Sequence, residues 1–529
     1  MKIVSCELPY QQKVEDFLRQ QYPTLREYRI LSQSLDARGA NRGRVPRFLY
    51  QIALYLADEP GPGPMDLVPP QDIPMGELKD LQQNRPLIVG AGPAGLFCAL
   101  KLLDYGISSQ IFERGDRAED RMLKIARFWR YGEFDPESNV CYGEGGAGLF
   151  SDGKLLTRVK SPHIAYVMKR FVDFGAPEHI QWTSDPHLGS NKIRKLISGI
   201  SQYLLAKGCQ IHYRAKVDEI LFTPGGYNEK PQVQGIRLQD GRTFSSPYLV
   251  LAMGHSAKNI YEFLHESKVA LRPKSFAMGL RIEHPREQMD ELQYGPFAGD
   301  PVLGTAKYSV RHTDKKTGRG AYSFCMCPGG YVLSSGTEAN GLVVNGMSNY
   351  SRHSPWSNSA LVVTVKAGED FAQNPSDPEE ALAGLKWQLS LEHEAWKMSQ
   401  GKAIPAQGVM DYLKGKITQA PLPKTSCPSG IVPAPLHQLY PKYLYEHLCS
   451  SLEVFNRQIP GMISKAALLL APETRTSSPL TVVRDEETLE SISHKNLYPC
   501  GEGAGYAGGI TSAAVDGIRV AERLVLQGR

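Results

Sequence analysis

Pro86-Leu87-Ile88-Val89-Gly90-Ala91-Gly92-Pro93-Ala94-Gly95 is the stretch on which the reading of this chain turns. Its first four residues are a short apolar run of the kind that forms a buried strand. A glycine-rich turn follows, then a helical segment with Leu96, Ala99, Leu100 and Leu103 on one face. A second strand, Ser109 to Phe112, ends at Glu113, 18 residues after Gly95. Strand, GxGxxG, helix, strand and acid together make a βαβ unit with the dinucleotide-binding fingerprint. Gly90 allows the tight turn, Gly92 lets backbone approach a pyrophosphate, and Gly95 lets the helix pack close to the strand. The free N–H groups of the helix N-terminus face the phosphates. Glu113 stands where a carboxylate accepts ribose hydroxyls.

The rest of the chain sets bounds. With 529 residues, two or three domains and a large core are expected. A net charge of +5 with mixed signs gives little reason to expect a nucleic acid or membrane partner. No run of about 18 apolar residues is present, so no transmembrane helix is expected. Met1 to Cys6 leads into polar sequence without the apolar core of a signal peptide. Nine scattered cysteines suit free thiols in a reducing cytoplasm, and none has zinc-ligand spacing, so no metal is expected.

Outward from the fingerprint, the nucleotide fold does not finish in one piece. Ile193 to Leu205 has helical spacing. Cys209 to Tyr213 and Lys216 to Phe222 read as strands, and Gln234 to Leu238 with Asp240-Gly241 reads as a hairpin. Tyr248 to Ala252 is a short apolar strand entering Met253-Gly254-His255. Only at Leu497 to Pro499 does another strand run into glycines, Gly501 to Gly509, before a closing helix from Ala513 to Leu526. Segments this far apart imply an insertion. The organisation expected is a small N-terminal α+β domain and proline-rich linker (1–75), a discontinuous Rossmann-like domain (84–258 and 466–529), and an inserted α+β substrate domain (259–465). In the first unit, Lys13 to Gln20 reads as a helix and Phe48 to Tyr55 as a strand or short helix. The prolines between Glu59 and Pro74 read as a semi-rigid linker.

Three strings carry a resemblance. Gly143 to Gly148 with Phe150-Ser151-Asp152-Gly153-Lys154 crowds glycines into a loop, which is easiest to explain if backbone passes close to a ligand. The others are Phe324-Cys325-Met326-Cys327-Pro328-Gly329-Gly330 and Glu473-Thr474-Arg475-Thr476-Ser477-Ser478-Pro479. With the fingerprint, the Leu249–Gly254 strand and Gly501-Glu502-Gly503, the chain resembles a broad family of uncharacterised FAD-dependent dehydrogenases with the glutathione-reductase-type FAD fold. The likeness runs from about residue 28 to 529. It implies bound FAD, a substrate domain and redox chemistry. It also implies cofactor contacts beyond the fingerprint: Pro93, Ala94 and Arg114; Gly145, Gly146, Ala147, Gly148 and Ser151; Val217, Ala252 and Gly254. At the flavin end it implies Gly501, Glu502, Gly505, Gly508, Gly509 and Ile510. Glu502 stands where the family usually has Asp on the ribitol. The closing helix would aim its positive end at the pyrimidine side of the flavin.

Only one dinucleotide fingerprint is present, and the CxxxxC of disulfide reductases is missing. An NAD(P)H donor, if one is used, binds without its own Rossmann unit; otherwise the substrate reduces the flavin. Candidate catalytic residues are Arg475, His284, Cys325 and Cys327. Arg475 would clamp a carboxylate or stabilise charge developing in hydride transfer, or else pair structurally with Glu473 or Glu502. His284, beside Arg281 and Glu283 on a probable strand, is an acid–base candidate or a surface histidine before Pro285. Cys325 and Cys327 face one way in an extended segment and are a redox pair or small buried hydrophobes. The function expected is hydride transfer between FAD and a small-molecule substrate. Two alternatives stand beside it: a flavoenzyme acting on RNA through Arg38, Arg42 and Arg44, and a non-catalytic FAD protein.

Overall fold

The computed structural model describes residues 1–57, 59, 78–226, 229–401, 403–419 and 421–527. The proline-rich segment expected to be a linker lies outside the described residues, apart from Glu59.

Five short strands form one parallel sheet in the order Leu497–Pro499, Leu249–Leu251, Leu87–Val89, Gln110–Phe112, Gln210–His212. Both its faces are covered, so the strands are apolar runs without alternation. Helix Pro93–Asp104 follows the first of these strands in sequence, and the closing helix Ile510–Gln527 packs beside it. A Cβ on Gly517 would collide with the Ala94 carbonyl, so glycine there sets the close approach of the two helices. Ile88, Phe97, Leu100, Ile197, Val515 and Ile518 share one core. The two halves of the Rossmann-like domain, separated by a long insertion in sequence, are therefore one packing unit. Helix Gly189–Ala206 and the three-stranded antiparallel sheet Val217–Thr223, Gln232–Leu238, Thr243–Ser245 complete it.

The insertion is built on a seven-stranded mixed sheet. Its order is Arg311–Thr313, Gly320–Cys327, Trp356–Val365, Phe276–Pro285, Leu468–Glu473, Ile404–Gly408, Ile431–Pro433. Helix Lys442–Gln458 buries Leu444, Leu448, Leu452 and Phe455 among Met278, Leu280, Leu361 and Val363. The expected boundaries move at both ends. Leu468–Glu473, assigned from sequence to the closing segment, is an interior strand of the inserted sheet, paired with Phe276–Pro285 and Ile404–Gly408. Helix Lys258–Glu266, assigned to the insertion, buries Tyr261 and Leu264 in the core that also holds Val89 and Leu251. An apolar run does not disclose which sheet it joins.

The N-terminal unit is a three-stranded antiparallel sheet, Lys2–Pro9, Arg47–Leu56, Leu25–Asp36, with helix Val14–Gln21 packed on it through Leu18. Phe48 to Tyr55 is strand. The unit docks on the insertion through Tyr10 and Ala40 against Tyr294 and Leu303. In the basic loop, Arg38 is bound to Asp36, with Arg44 at 3.9 Å from the same carboxylate. Among the described residues no helix is long and apolar enough to cross a membrane.

Candidate functional site

One cleft of about 350 Å³ lies between the carboxyl ends of the parallel strands and the inserted sheet. Open α/β sheets bind ligands at that end of the strands. On its floor are Val89, Phe112 and Ala252, the ends of three neighbouring strands, together with Gly90, Gly92, Pro93, Ala94, Glu113 and Arg114. Gly146, Ala147, Gly148, Ser151, Val217, Gly254, Glu502, Gly508, Gly509 and Ile510 also line it. Of the expected cofactor contacts, Gly95, Gly145, Gly501 and Gly505 do not. At each of those four a side chain would collide with the protein itself, and Gly145, Gly501 and Gly505 also have positive φ. A Cβ on Gly95 would strike the Gly90 carbonyl; on Gly501, Ala94 Cβ at 2.8 Å; on Gly145, Leu149 at 2.9 Å; on Gly505, Thr481 at 2.8 Å.

The lining glycines separate into two kinds. Gly90, at φ +107, sits in the left-handed region, where a Cβ would meet the Ala252 carbonyl. Gly92, Gly508 and Gly509 have no positive φ, and nothing of the protein lies closer than 4.0 Å to their Cβ positions. The chain itself does not need glycine at these three positions. Bare backbone open to the cleft at these positions is what a dinucleotide lying against it requires, and in this the residues present fit the cofactor.

Glu113 is buried, and its carboxylate is already heavily used. Oε2 accepts from Ala91 N at 3.0 Å, and Oε1 accepts from Gly115 N and Gly143 N, each at 2.9 Å. This corrects the expectation of a residue serving ribose alone: Glu113 also ties the fingerprint turn to the 143–148 loop. That loop is held by Arg121, which sequence reading missed. Arg121 is fully buried, and its guanidinium donates to the carbonyls of Asn139, Val140, Glu144 and Gly146. A Cβ on Gly143 would clash with the Arg121 stem. Part of the loop's glycine content thus answers to an arginine and not to a ligand. No motif announces Arg121; only its place on the buried face of helix Ala118–Tyr131 does.

The opposite wall is made of paired charges. Arg281 and Glu473 form a buried bidentate pair, Nε–Oε2 2.9 Å and Nη2–Oε1 2.7 Å. Arg281 Nη1 also reaches Asn358 Oδ1 at 2.9 Å and the Cys325 carbonyl at 3.2 Å. Asp152 holds Arg352 in the same way, at 3.1 and 2.6 Å. Arg475 does line the cleft, but its guanidinium does not await an anion. Nε and Nη2 grip Glu392 at 2.8 and 2.6 Å, and Nη1 donates to Thr337 at 2.8 Å. The partner is neither Glu473 nor Glu502 but a residue of helix Ala383–Ser399, remote in sequence.

His284 is a second correction. It is fully buried away from the cleft, with Nε2 at 2.8 Å from the Met462 carbonyl, and burial pushes its imidazole down to about 4. It is neither an acid–base group of this site nor a surface histidine. Its neighbour Glu283 is bound by Thr425 and Ser426.

Lys154, Asn345 and Glu473 line the same wall as Phe324 and Cys325; Lys154 and Glu473 fall in the strings quoted above without a role at this wall, and Asn345 was not singled out from sequence. Lys154 donates to the Met326 carbonyl and lies 3.9 Å from Asp152. Cys325 departs from the extended backbone expected for it. Its φ is +46, at a bulge where the register against Trp356–Val365 slips between Phe324 and Cys327. Cys327 is fully buried. At the far end, Glu502 faces His255, Oε1 to Nδ1 3.6 Å. Burial pushes Glu502 up to about 7 against the pull of Lys274, and burial with nearby Arg475 pushes His255 down to about 4. Near pH 7 the histidine is therefore neutral. Among the described residues no group of three His, Cys, Asp or Glu is arranged to hold a metal ion.

Residues 275–476 match the family described as FAD-dependent protein, C-terminal domain-like. That span contains the inserted sheet from Phe276 to Glu473. An uncharacterised protein of Clostridium beijerinckii (strain ATCC 51743 / NCIMB 8052) is 37% identical over 507 residues, covering 94% of this chain and 92% of the relative. Among solved structures, the flavin-dependent brominase Bmp2 is 13% identical with a TM-score of 0.36, over 84% of this chain and 79% of its own. The halogenase PltM is 10% identical with a TM-score of 0.38, over 84% and 69%. The two structural likenesses are too slight to bear on activity.

Proposed function

This chain belongs to the family of FAD-dependent proteins that its 275–476 domain defines, and from that premise we propose that it is an FAD-dependent oxidoreductase exchanging hydride with a small-molecule substrate. The observation that carries the reading is the set Gly92, Gly508 and Gly509, which leave bare backbone open to the cleft. In this reading Gly92, Pro93 and Ala94 cradle the pyrophosphate at the first helix N-terminus, and Glu113 supplies its remaining acceptor capacity to the ribose. Glu502 meets the ribitol, and Gly508 to Ile510 bring the closing helix N-terminus to the ring. That helix end stabilises negative charge on the ring it faces. When bound, FAD supplies a two-electron centre that accepts or gives hydride at N5. The inserted sheet, through Phe324 and Cys325, roofs the cleft and keeps water from it. The chain carries one dinucleotide fingerprint, so a nicotinamide donor would enter the substrate side of the same cleft.

The test is Gly92→Val, with FAD released from purified protein and quantified against protein. Wild type carries bound FAD. The valine puts a branched side chain where the pyrophosphate lies, and affinity falls at least about a hundredfold, roughly 2.7 kcal/mol. Full occupancy in the variant removes FAD from this cleft. Anaerobic bleaching of the flavin by NADH, NADPH or candidate metabolites then identifies the donor.

A further inference from the structure

The wall that roofs the cleft holds two thiols with unequal access. Cys325 lines the cleft beside Phe324 and Asn345. Cys327 is buried, and its thiol donates to the Cys325 carbonyl, Sγ to O 3.3 Å. Two residues of flat strand span about 6.6 Å, at the upper end of the roughly 4.4–6.8 Å between Cα atoms that a disulfide bridges. A bulge breaks the flat strand between the two cysteines, with Cys325 at φ +46. For a residue with a side chain, that conformation is strained and persists only where the surroundings impose it, most often at functional sites. Here Arg281 donates to the Cys325 carbonyl at 3.2 Å and fixes the peptide that leads toward Cys327. Gly346 leaves the room: a Cβ there would come within 2.9 Å of Cys327 Sγ and would collide with the Arg281 guanidinium.

We propose that Cys325 and Cys327 are a dithiol–disulfide couple that exchanges two electrons with the flavin in the cleft, an inference that rests on the FAD reading above. Cys325 is the sulfur open to the cleft and Cys327 the resolving sulfur behind it. The charged groups facing Cys325 favour its thiolate. Lys154 and Arg281 are cationic, Glu473 is neutralised by Arg281, and Glu502 stands across the cleft. The Cys327 thiol donates to the Cys325 carbonyl, and burial helps it keep its own proton. Closing the S–S bond then releases two electrons and the one proton held by Cys327. All three pass to oxidised flavin, and the reverse step reopens the bond.

The test uses FAD-loaded full-length protein, oxidised with diamide, freed of reagent and titrated anaerobically with dithionite. Wild type takes up about four electrons per flavin, against about two in Cys327→Ser and in Cys325→Ser. In parallel, the fragment carrying residues 325–327 from oxidised wild type is about 2 Da lighter than after reduction, and resists alkylation. Bound FAD with uptake of about two electrons in wild type, and both thiols alkylated after diamide, overturns the couple and leaves the flavin reading standing. Protein without FAD overturns that reading, and the couple with it.

Discussion

The two walls of the cleft are built by opposite means. The nucleotide wall is largely backbone: glycines, helix N-termini and strand ends gathered from several short segments, each with its own local motif. The substrate wall is side chains, Arg281 with Glu473, Arg475 with Glu392 and Asp152 with Arg352, each pair joining segments between 83 and 200 residues apart. Removing a glycine from the first wall evicts a ligand. Removing a charge from the second leaves its partner buried and alone. The first wall is shaped for something absent from the chain, whereas the second largely satisfies itself.

The largest expected effect follows from that contrast. Arg281→Met leaves the Glu473 carboxylate without its partner, although burial already pushes that group up. Breaking one side of a buried pair costs roughly 3–5 kcal/mol. Urea unfolding followed by circular dichroism reads the loss. A change below about 1 kcal/mol would mean that the second wall does not depend on its pairs, and the contrast would collapse.

Glu113→Gln probes the one residue that belongs to both kinds of wall. The amide has a single acceptor oxygen, whereas Ala91 N lies on one side of the carboxylate and Gly115 N and Gly143 N on the other. One side must face an NH₂ group, at a cost of about 1–3 kcal/mol. Stability and FAD affinity should fall together, affinity by about tenfold or more. A loss of affinity with unchanged unfolding would return Glu113 to a purely ribose-binding role.

How much was legible follows the same division. The Leu87–Val89 strand, the GxGxxG turn and Glu113 could be read because strand, turn, helix start and acid follow one another within 27 residues. The closing segment was legible as a repeat of that logic at Leu497–Gly509. Arg475 drew attention correctly as a cleft residue, yet its partner Glu392 has no sequence signature, because an ion pair between a strand end and a distant helix leaves no spacing to read. His284 misled for the reciprocal reason: strand residues alternate faces, but Phe276–His284 is buried on both, so polarity did not mark the side open to a ligand. Arg121 was invisible because a buried arginine satisfied by backbone carbonyls needs no acidic partner.

Arg475→Lys sharpens the contrast at its edge. Lysine keeps the charge beside Glu392 but cannot supply the fork, nor reach Thr337 at the same time. Roughly 1–2 kcal/mol of stability should be lost, with FAD affinity within about threefold of wild type by fluorescence titration. Weakened FAD binding at unchanged stability would place the guanidinium on the cofactor and move Arg475 from the self-satisfied wall to the ligand-shaped one.

The smallest effect concerns the exception in the second wall. Cys325 is the group there that faces the cleft without a carboxylate bound to it. The neighbouring Cys327 thiol favours the charged form of Cys325, and Lys154 and Arg281 add positive charge. Together these outweigh burial and Glu473 and hold Cys325 at about 6. The thiolate is the reactive form, so alkylation of Cys325 by iodoacetamide should rise with pH through a midpoint near 6 and be nearly flat above 7. An ordinary thiol, at 9.0, would still be climbing there. Lys154→Met removes one of the two cations, and the midpoint should move up by about one unit, equivalent to roughly 1.4 kcal/mol. Alkylation of Cys325 that follows an ordinary thiol in wild type, or ignores Lys154, would make this cysteine a packed hydrophobe, and the second wall would then be self-satisfied throughout.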